Sequence, residues 1–406
     1  MSTPNDRQFP TSAPASAPTS APVPAQLTGM DPRSGFGPEG AVDLTPDPQL
    51  DGLRRRIDDI DEQLLELLNQ RAQVSLEVGR LKAGSRDPIF KPLREKMVIT
   101  RLVALNPGPL PERHLTSIYR EIMSSSRRLQ RPERVVYLGP EGTFSYFAGI
   151  EHLGHSAELT PKPNMEDIFR AVADGQAELG IVPLENSLQG TVGQSLDLFM
   201  RYPVYIQAEI ASRISLALLS KVTKISEVTR VYSHPKALGQ CGEWLQANLP
   251  DAPRLPMTST AAAARLAAES SDGAAVLGNI RLGDMFGLGV LAEHLEDLPD
   301  NWTRFLIIGP APSREKNRDK TTLLFTTPDR PGALARVLTA FAARGVNMTK
   351  LESRPFRGER WKFMFFADLD CDLSSESFAD LVDELGKLCL TLRVLGSYPS
   401  GLQLPG

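Results

Sequence analysis

The chain has 406 residues, 41% of them apolar and 23% charged, with a formal net charge of −4. That length suits about two to four globular domains, and no stretch reaches membrane-spanning length. The charge argues against nucleic acid or an anionic membrane as partner, so an anionic small substrate has to be met by local basic residues.

Residues 1–48 hold ten of the 33 prolines and repeat Ser-Ala-Pro across 12–22. Such a segment buries too little apolar surface to offset the entropy of ordering, so a disordered tail is expected. Arg7 and Arg33 are its only basic residues, which is few for a transit peptide, and it has no signal-peptide core. Cys241, Cys371 and Cys389 are odd in number and lack metal spacing, which fits a reduced cytosolic compartment.

From 51 to 83 the apolar positions run Leu53, Ile57, Ile60, Leu64, Leu67, Val74, Val78 and Leu81. Steps of four and three predict one long amphipathic helix made to pack on other helices. Arg71 stands where the stripe skips a position. Lys82 returns to within about 20° of Arg71, ~16 Å further along the axis. Two cations on a packing face are costly unless an anion meets them; the alternative is an arginine that snorkels to water or meets a glutamate. Arg54 lies ~25 Å earlier and about 100° round, so it cannot serve the same pocket in a straight helix. It suits the equivalent pocket of a partner chain.

KPLREKM (91–97) opens a second helix, and HLTSIYREIMSSSRRLQ (114–130) forms a third. Together these segments resemble the all-helical chorismate mutase family over residues 49–131. The resemblance implies three helices per chain interlaced into a dimer, each active site borrowing one arginine from the partner. It puts Arg54 in the borrowed place and Arg71, Lys82 and Arg94 in the other cationic places. Glu95 would face the substrate hydroxyl, and Ser126 and Gln130 would form the polar pair of the last helix. Lys91 departs from the pattern, standing where some members carry aspartate. The implied reaction, chorismate to prephenate, is a concerted rearrangement that needs no nucleophile. Guanidiniums suit the two carboxylates, and Lys82 and Gln130 suit the breaking ether oxygen.

Residues 133–312 alternate short apolar runs with helical stretches, an α/β pattern. Runs at 135–138, 179–184, 230–232 and 305–308 read as strands. Each adjoins a polar cluster: GPEGTFS (139–145), PLENSLQGT (183–191), SHPKALGQC (233–241) and NWTRF (301–305). Strand ends are where open α/β sheets put ligand clefts. A second lobe is expected from about Ala211, with one helix through 241–247 and a return to the first lobe at 303–308.

The four clusters resemble the prephenate dehydratase family. The resemblance implies a two-lobed fold similar to periplasmic binding proteins, with Asn186, Ser233, Gln240 and Thr303 catalytic and Arg304 beside them. Thr143 and Ser145 either cap a helix or bind a substrate carboxylate, as do Ser259 and Thr260. In the implied reaction prephenate loses carbon dioxide and hydroxide together. Thr303 would orient and hydrogen-bond the departing hydroxyl, and Glu185 is an acid if burial keeps it protonated. Arg304 is expected on the carboxylate that stays. His234 reads as a turn residue and Cys241 as packing.

After a polar linker at 310–320, the pattern of strands at 321–327, 346–353, 361–369 and 391–398 and helices at 332–344 and 375–388 is ferredoxin-like. DRPGAL (329–334) with GVNMTKLESRP (345–355) resembles the phenylalanine-sensing kind of ACT domain. That resemblance implies a site made by Gly332, Ala333, Leu334, Glu352, Ser353, Arg354 and Pro355, lying between two modules.

A multidomain protein is expected: an all-α domain at 49–131, a two-lobed α/β domain at 133–312 and an α+β ferredoxin-like domain at 320–400. Its reading is a cytosolic bifunctional enzyme taking chorismate through prephenate to phenylpyruvate, regulated by phenylalanine. It would be a homodimer or higher homo-oligomer, with no cofactor, metal, nucleic acid or membrane. The rival readings are a dehydratase with a non-catalytic helical dimerisation domain, and an aromatic-acid-sensing binding protein.

Overall fold

A computed structural model describes residues 48–83, 89–316, 318–355, 363–401 and 403–404. The expected N-terminal tail therefore lies outside the described residues, apart from Pro48. The chain divides into two units between Leu64 and Leu65.

The helical region consists of α1 (Pro48–Lys82), α2 (Pro92–Ala104) and α3 (Glu112–Gln130). Pro92 begins α2, where a missing N–H costs nothing. In the first unit the α1 stripe residues Leu53, Ile57, Ile60 and Leu64 are at least half exposed; so are Leu67, Val74 and Leu81 in the second. Gly79 lets α1 meet α3 backbone to backbone, because a Cβ there would sit 2.9 Å from Gln130 Cα.

The first α/β lobe contains β1 (Arg134–Leu138), α4 (Phe144–Leu153), β2 (Glu158–Lys162), α5 (Met165–Ala173), β3 (Leu179–Asn186), β4 (Gly190–Thr191), α6 (Gly193–Arg201) and β5 (Tyr205–Arg213). The chain crosses to a second lobe of β6 (Ala217–Ser220), β7 (Arg230–Ser233), α7 (Pro235–Gln240), α8 (Gly242–Asn248), β8 (Arg254–Pro256), α9 (Thr260–Glu269), β9 (Ala274–Gly278), α10 (Leu282–Phe286) and β10 (Gly289–Ala292). It returns through β11 (Trp302–Gly309). The first sheet has the order β5-β11-β3-β1-β2, and the second β10-β6-β9-β7-β8. The crossing comes slightly later than expected, because β5 stays paired with β11 as far as Arg213.

The helix expected through 241–247 is α8 (Gly242–Asn248); a break at Cys241 (φ −123°, ψ 26°) separates it from the shorter α7 before it. Asp297 explains the break. Its carboxylate accepts from the Glu243 and Trp244 amides at 3.1 and 3.2 Å, and its own N–H donates to Gln240 O at 2.7 Å. A loop distant in sequence thus caps a new helix.

The C-terminal domain runs β12 (Lys320–Thr326), α11 (Ala333–Ala342), β13 (Met348–Pro355), β14 (Phe363–Leu369), α12 (Ala379–Leu388) and β15 (Thr391–Tyr398). Its sheet order is β13-β14-β12-β15, and β16 (Gln403–Leu404) rejoins the first sheet beside β5. One face, with Leu323, Phe325, Ala367 and Leu369, packs among Val337, Phe341, Leu381 and Leu385 of its helices. The opposite face, with Leu324, Met364, Phe366, Leu395 and Tyr398, joins the core of the first α/β lobe, among Phe169, Leu184, Phe199 and Leu306. Fully buried apolar side chains contribute roughly 1.5–3 kcal/mol each. The domain is therefore fused to that lobe through a shared core.

Candidate active sites

Strand direction sets where a cleft forms in the α/β domain. β1 and β3 are parallel, and β11 is antiparallel to both β3 and β5. The ends of β3 and β5 and the start of β11 therefore share one edge. In the second sheet β7 is parallel to β9, and β9 antiparallel to β6, which brings Ser233, Gly278 and Ala217 to one edge. Residues 214–216 alone connect β5 to β6, so both edges border the crossing between the lobes, where open α/β sheets place a cleft.

Register decides which side chains can enter it. Thr303 pairs with Asn186 and Ser212, and Arg304 with Glu185 and Ala211. Directly paired residues share a face, and successive residues alternate. Asn186 and Thr303 therefore lie on one face, Glu185 and Arg304 on the other. Asn186 Nδ2 is 3.0 Å from Thr303 Oγ1, 2.7 Å from Asn301 Oδ1 and 3.0 Å from Trp302 O. Asn186 Oδ1 accepts from the Leu188 and Gln189 amides at 3.1 Å each. The side chain is thus fixed at both ends.

Asn301 was missed by the sequence reading. It is buried at 1% exposure, and its Nδ2 has no hydrogen-bond partner among the described residues. The signal was available, since a residue two before Thr303 falls on the same strand face.

Glu185 and Arg304 lie on the opposite strand face from Thr303. Arg304 reaches Asp368 at 2.5 Å, Glu209 at 2.7 Å, Tyr398 Oη at 3.0 Å and Glu185 at 3.3 Å. Glu185 also pairs with Lys350. Burial works against the Arg304 charge, but the oxygens of Tyr398, Asp368 and Glu209 outweigh it and raise its pKa. Both side chains are turned to the C-terminal sheet, away from the face that carries Thr303. In this arrangement both side chains are engaged in ion pairs with the C-terminal sheet. The physical reason is the two-residue period of a strand.

Ser233 is fully buried, and its Oγ donates to Leu277 O at 2.5 Å, tying β7 to β9 at the edge. Gln240 ends α7, half-buried, with its carbonyl held by Asp297. Thr143 caps α4: its Oγ1 accepts from Tyr146 N at 3.4 Å and donates to Leu138 O at 3.0 Å. Ser145 is buried in the first turn of the same helix. Gly142 has φ +84°, and a Cβ there would meet Leu282 at 2.9 Å and Ala261 at 3.2 Å, so this loop lies against the second lobe. Ser259 caps α9, accepting from Ala262 N at 3.0 Å. His234 caps α7 through Lys236 N at 3.2 Å, and Cys241 is buried, its thiol pushed up by that burial.

In the helical region Arg71, Ser126 and Gln130 come together. Arg71 Nη1 donates to Ser126 Oγ, and to Ile122 O at 3.4 Å. Gln130 Nε2 donates to Ser126 O at 3.2 Å, while its Oε1 is buried without a partner. Lys82 is half-buried. Arg94 is exposed, and its backbone N–H donates to Glu315 at 3.1 Å. Arg54, in the first unit, is exposed and pairs with Asp51 at 3.1 Å.

The Glu95 carboxylate is held by Arg127. Arg127 is buried, also bonds Leu153 O and lies 3.7 Å from Glu133. It follows Met123 by four residues on the buried face of α3, the same signal that singled out Arg71.

Glu95 and Glu133 share one arginine at this junction. Burial pushes the Glu133 carboxyl up to about 7, Arg127 only partly opposing it. Its folded pKa is thus above its unfolded one, so the stability it contributes is full below about 4.5 and lost as pH rises through about 7. Glu133→Gln should remove this loss. Melting curves at pH 5 and pH 8 should show the wild-type midpoint falling several degrees more than that of the variant. Parallel curves would show that Glu133 ionises in the folded protein as it does in water.

The C-terminal domain has a cleft of about 320 Å³ lined by Asp329, Arg330, Gly332, Ala333, Leu334, Phe363 and Phe365. Gly332 stands at φ +75°, the left-handed conformation that suits glycine, at the start of α11. Ser353 pairs with Phe365 and Pro355 with Phe363, so these two share the cleft face. Glu352 and Arg354 alternate to the other face. There Glu352 bonds Thr191, and Arg354 lies 3.9 Å from Asp197.

Three family models match in succession. Chorismate mutase type II covers residues 53–131, prephenate dehydratase 135–313 and the ACT domain 321–387. The bifunctional chorismate mutase/prephenate dehydratase of Stutzerimonas stutzeri is 39% identical over 360 residues, covering 87% of this chain and 98% of the relative. That of Aquifex aeolicus is 39% identical over 358 residues, covering 87% and 99%. A crystal structure of prephenate dehydratase in complex with L-Phe from Arthrobacter aurescens is 32% identical, with a TM-score of 0.61. It covers 67% of this chain and 92% of that one. Fold and sites together define a multidomain enzyme of aromatic metabolism, an isomerase and a lyase in one chain. The protein belongs to the bifunctional chorismate mutase/prephenate dehydratase family.

Proposed function

We propose that the helical domain converts chorismate to prephenate, that the α/β domain converts prephenate to phenylpyruvate, and that phenylalanine bound at the C-terminal domain restrains the second step. The observation that carries the dehydratase reading is the Asn186–Thr303 contact at 3.0 Å. With its oxygen accepting from Asn186, the Thr303 hydroxyl keeps its own hydrogen for the oxygen that must leave. Asn301, buried beside them, accepts from Asn186 and helps to fix it. Such a fixed donor acts where charge develops, without reorganising as it does so. Ser233 and Gln240 complete the second-lobe side, and the Thr143–Ser145 turn supplies the helix start that suits a carboxylate.

For the mutase, Arg71 supplies a planar cation for a substrate carboxylate, and Gln130 with Lys82 addresses the ether oxygen. The exposed α1 stripe is the face on which a second copy packs, bringing Arg54 to its partner's site, so the working form is at least a homodimer. Among the described residues no helix is long and apolar enough to cross a membrane. The cysteines are buried free thiols, and we place the enzyme in the cytosol.

Two feeds of the purified protein test the whole reading: chorismate and, separately, prephenate, each followed for substrate loss and phenylpyruvate release, with and without phenylalanine. Chorismate loss and phenylpyruvate release are both expected, with phenylpyruvate release reduced by phenylalanine. Prephenate turnover without chorismate turnover would leave the helices only a scaffold role.

A further inference from the structure

Glu185 and Arg304 stand on the strand face opposite Asn186 and Thr303. Each is the backbone neighbour of a residue in the cleft: Glu185 precedes Asn186, and Arg304 follows Thr303. The β3–β11 ladder shifts register between Arg304 and Phe305, where Pro183 is the next partner. Pro183 has no N–H to give a ladder. A bulge there lets the tips of the two strands, residues 184–186 and 302–304, be aimed apart from the rest of the sheet.

What holds these tips from behind is the C-terminal sheet. Lys350 of β13 pairs with Glu185 and donates to Thr191 Oγ1 at 3.0 Å. Asp368 of β14 and Tyr398 of β15 hold Arg304. We propose that Glu185 and Arg304 are positioning residues, through which the C-terminal sheet sets how Asn186 and Thr303 enter the dehydratase cleft. The inference rests on the dehydratase reading of that cleft. β13 also carries Ser353 on its opposite face, paired with Phe365 of the cleft beside Gly332, so one strand adjoins both that cleft and the back of the catalytic strands.

The test uses the full-length protein with prephenate, and its mutase rate as a control for folding. Lys350→Met should lower the dehydratase kcat by about tenfold, with prephenate KM within about twofold, because small misplacements of reacting groups are costly. Lys350→Arg should restore most of that rate. Glu185→Gln is isosteric and should cost a similar factor, and the double variant no more than either single one, since both break the same contact. Should Lys350→Met fail to fold, Glu185→Gln carries the same comparison through its kcat and KM. Full kcat in Lys350→Met or Glu185→Gln overturns the inference, as does an additive double variant. A raised KM at unchanged kcat also overturns it, by making the pair substrate ligands. Thr303→Ala separates the two levels. If it turns prephenate over normally, the cleft itself is misread; if it is inactive while Lys350→Met is not, only the coupling is.

Discussion

Thr303→Ala is expected to lower the dehydratase kcat by about 10²–10³-fold, the loss typical of a fixed transition-state donor, with prephenate KM little changed. The variant keeps the strand, because the β11 ladder to β3 and β5 is backbone. It also leaves Asn186 bonded to Asn301 and to the Trp302 carbonyl. What disappears is the hydroxyl that Asn186 orients. Thr303→Ser should recover most of the rate, since it restores that hydroxyl and loses only a methyl. Steady-state kinetics with prephenate, alongside the mutase rate of the same preparation, checks this. Undiminished kcat in Thr303→Ala removes Thr303 from the mechanism.

Arg71→Ala is expected to have an effect of similar size on the other activity, lowering chorismate mutase kcat/KM by about 10²–10³-fold and leaving dehydration of added prephenate unchanged. Arg71 donates to Ser126 Oγ and the Ile122 carbonyl across α1 and α3, which holds its guanidinium between the two helices. Arg71→Lys should recover little, because an ammonium cannot reproduce the two-pronged contact. A single-chain assay with chorismate and then prephenate reads both activities. Equal mutase turnover in Arg71→Ala would move the site elsewhere on the helices.

The helical stripe of α1 needed only local periodicity, and so did the apolar runs at 135–138, 179–184, 230–232 and 305–308, which fall in β1, β3, β7 and β11. Helix caps were legible too: Thr143, Ser259 and His234 each accept from a backbone N–H within three residues, a contact that depends on nearby chain alone. The ion pairs of Glu95, Glu185 and Arg304 were not legible. Each residue was placed by a motif that names residue types, whereas the partners that claim them are far along the chain: Arg127 for Glu95, and Lys350, Asp368 and Tyr398 for the other two. Alternation along NWTRF separates Thr303 from Arg304 and joins Thr303 to Asn301, but which face meets the cleft depends on what covers the other.

By itself, the sequence determined the order of the three domains, their element types and the polar clusters at strand ends, because these rest on periodicity, capping and turn chemistry within short windows. Only the tertiary structure decided that the C-terminal sheet shares a core with the first α/β lobe, through Met364, Phe366 and Leu395 against Phe169 and Leu184. The same packing turned Glu185 and Arg304 toward that sheet. Burial against a distant element removes water from one face of a strand, and the charges on that face must then be neutralised there.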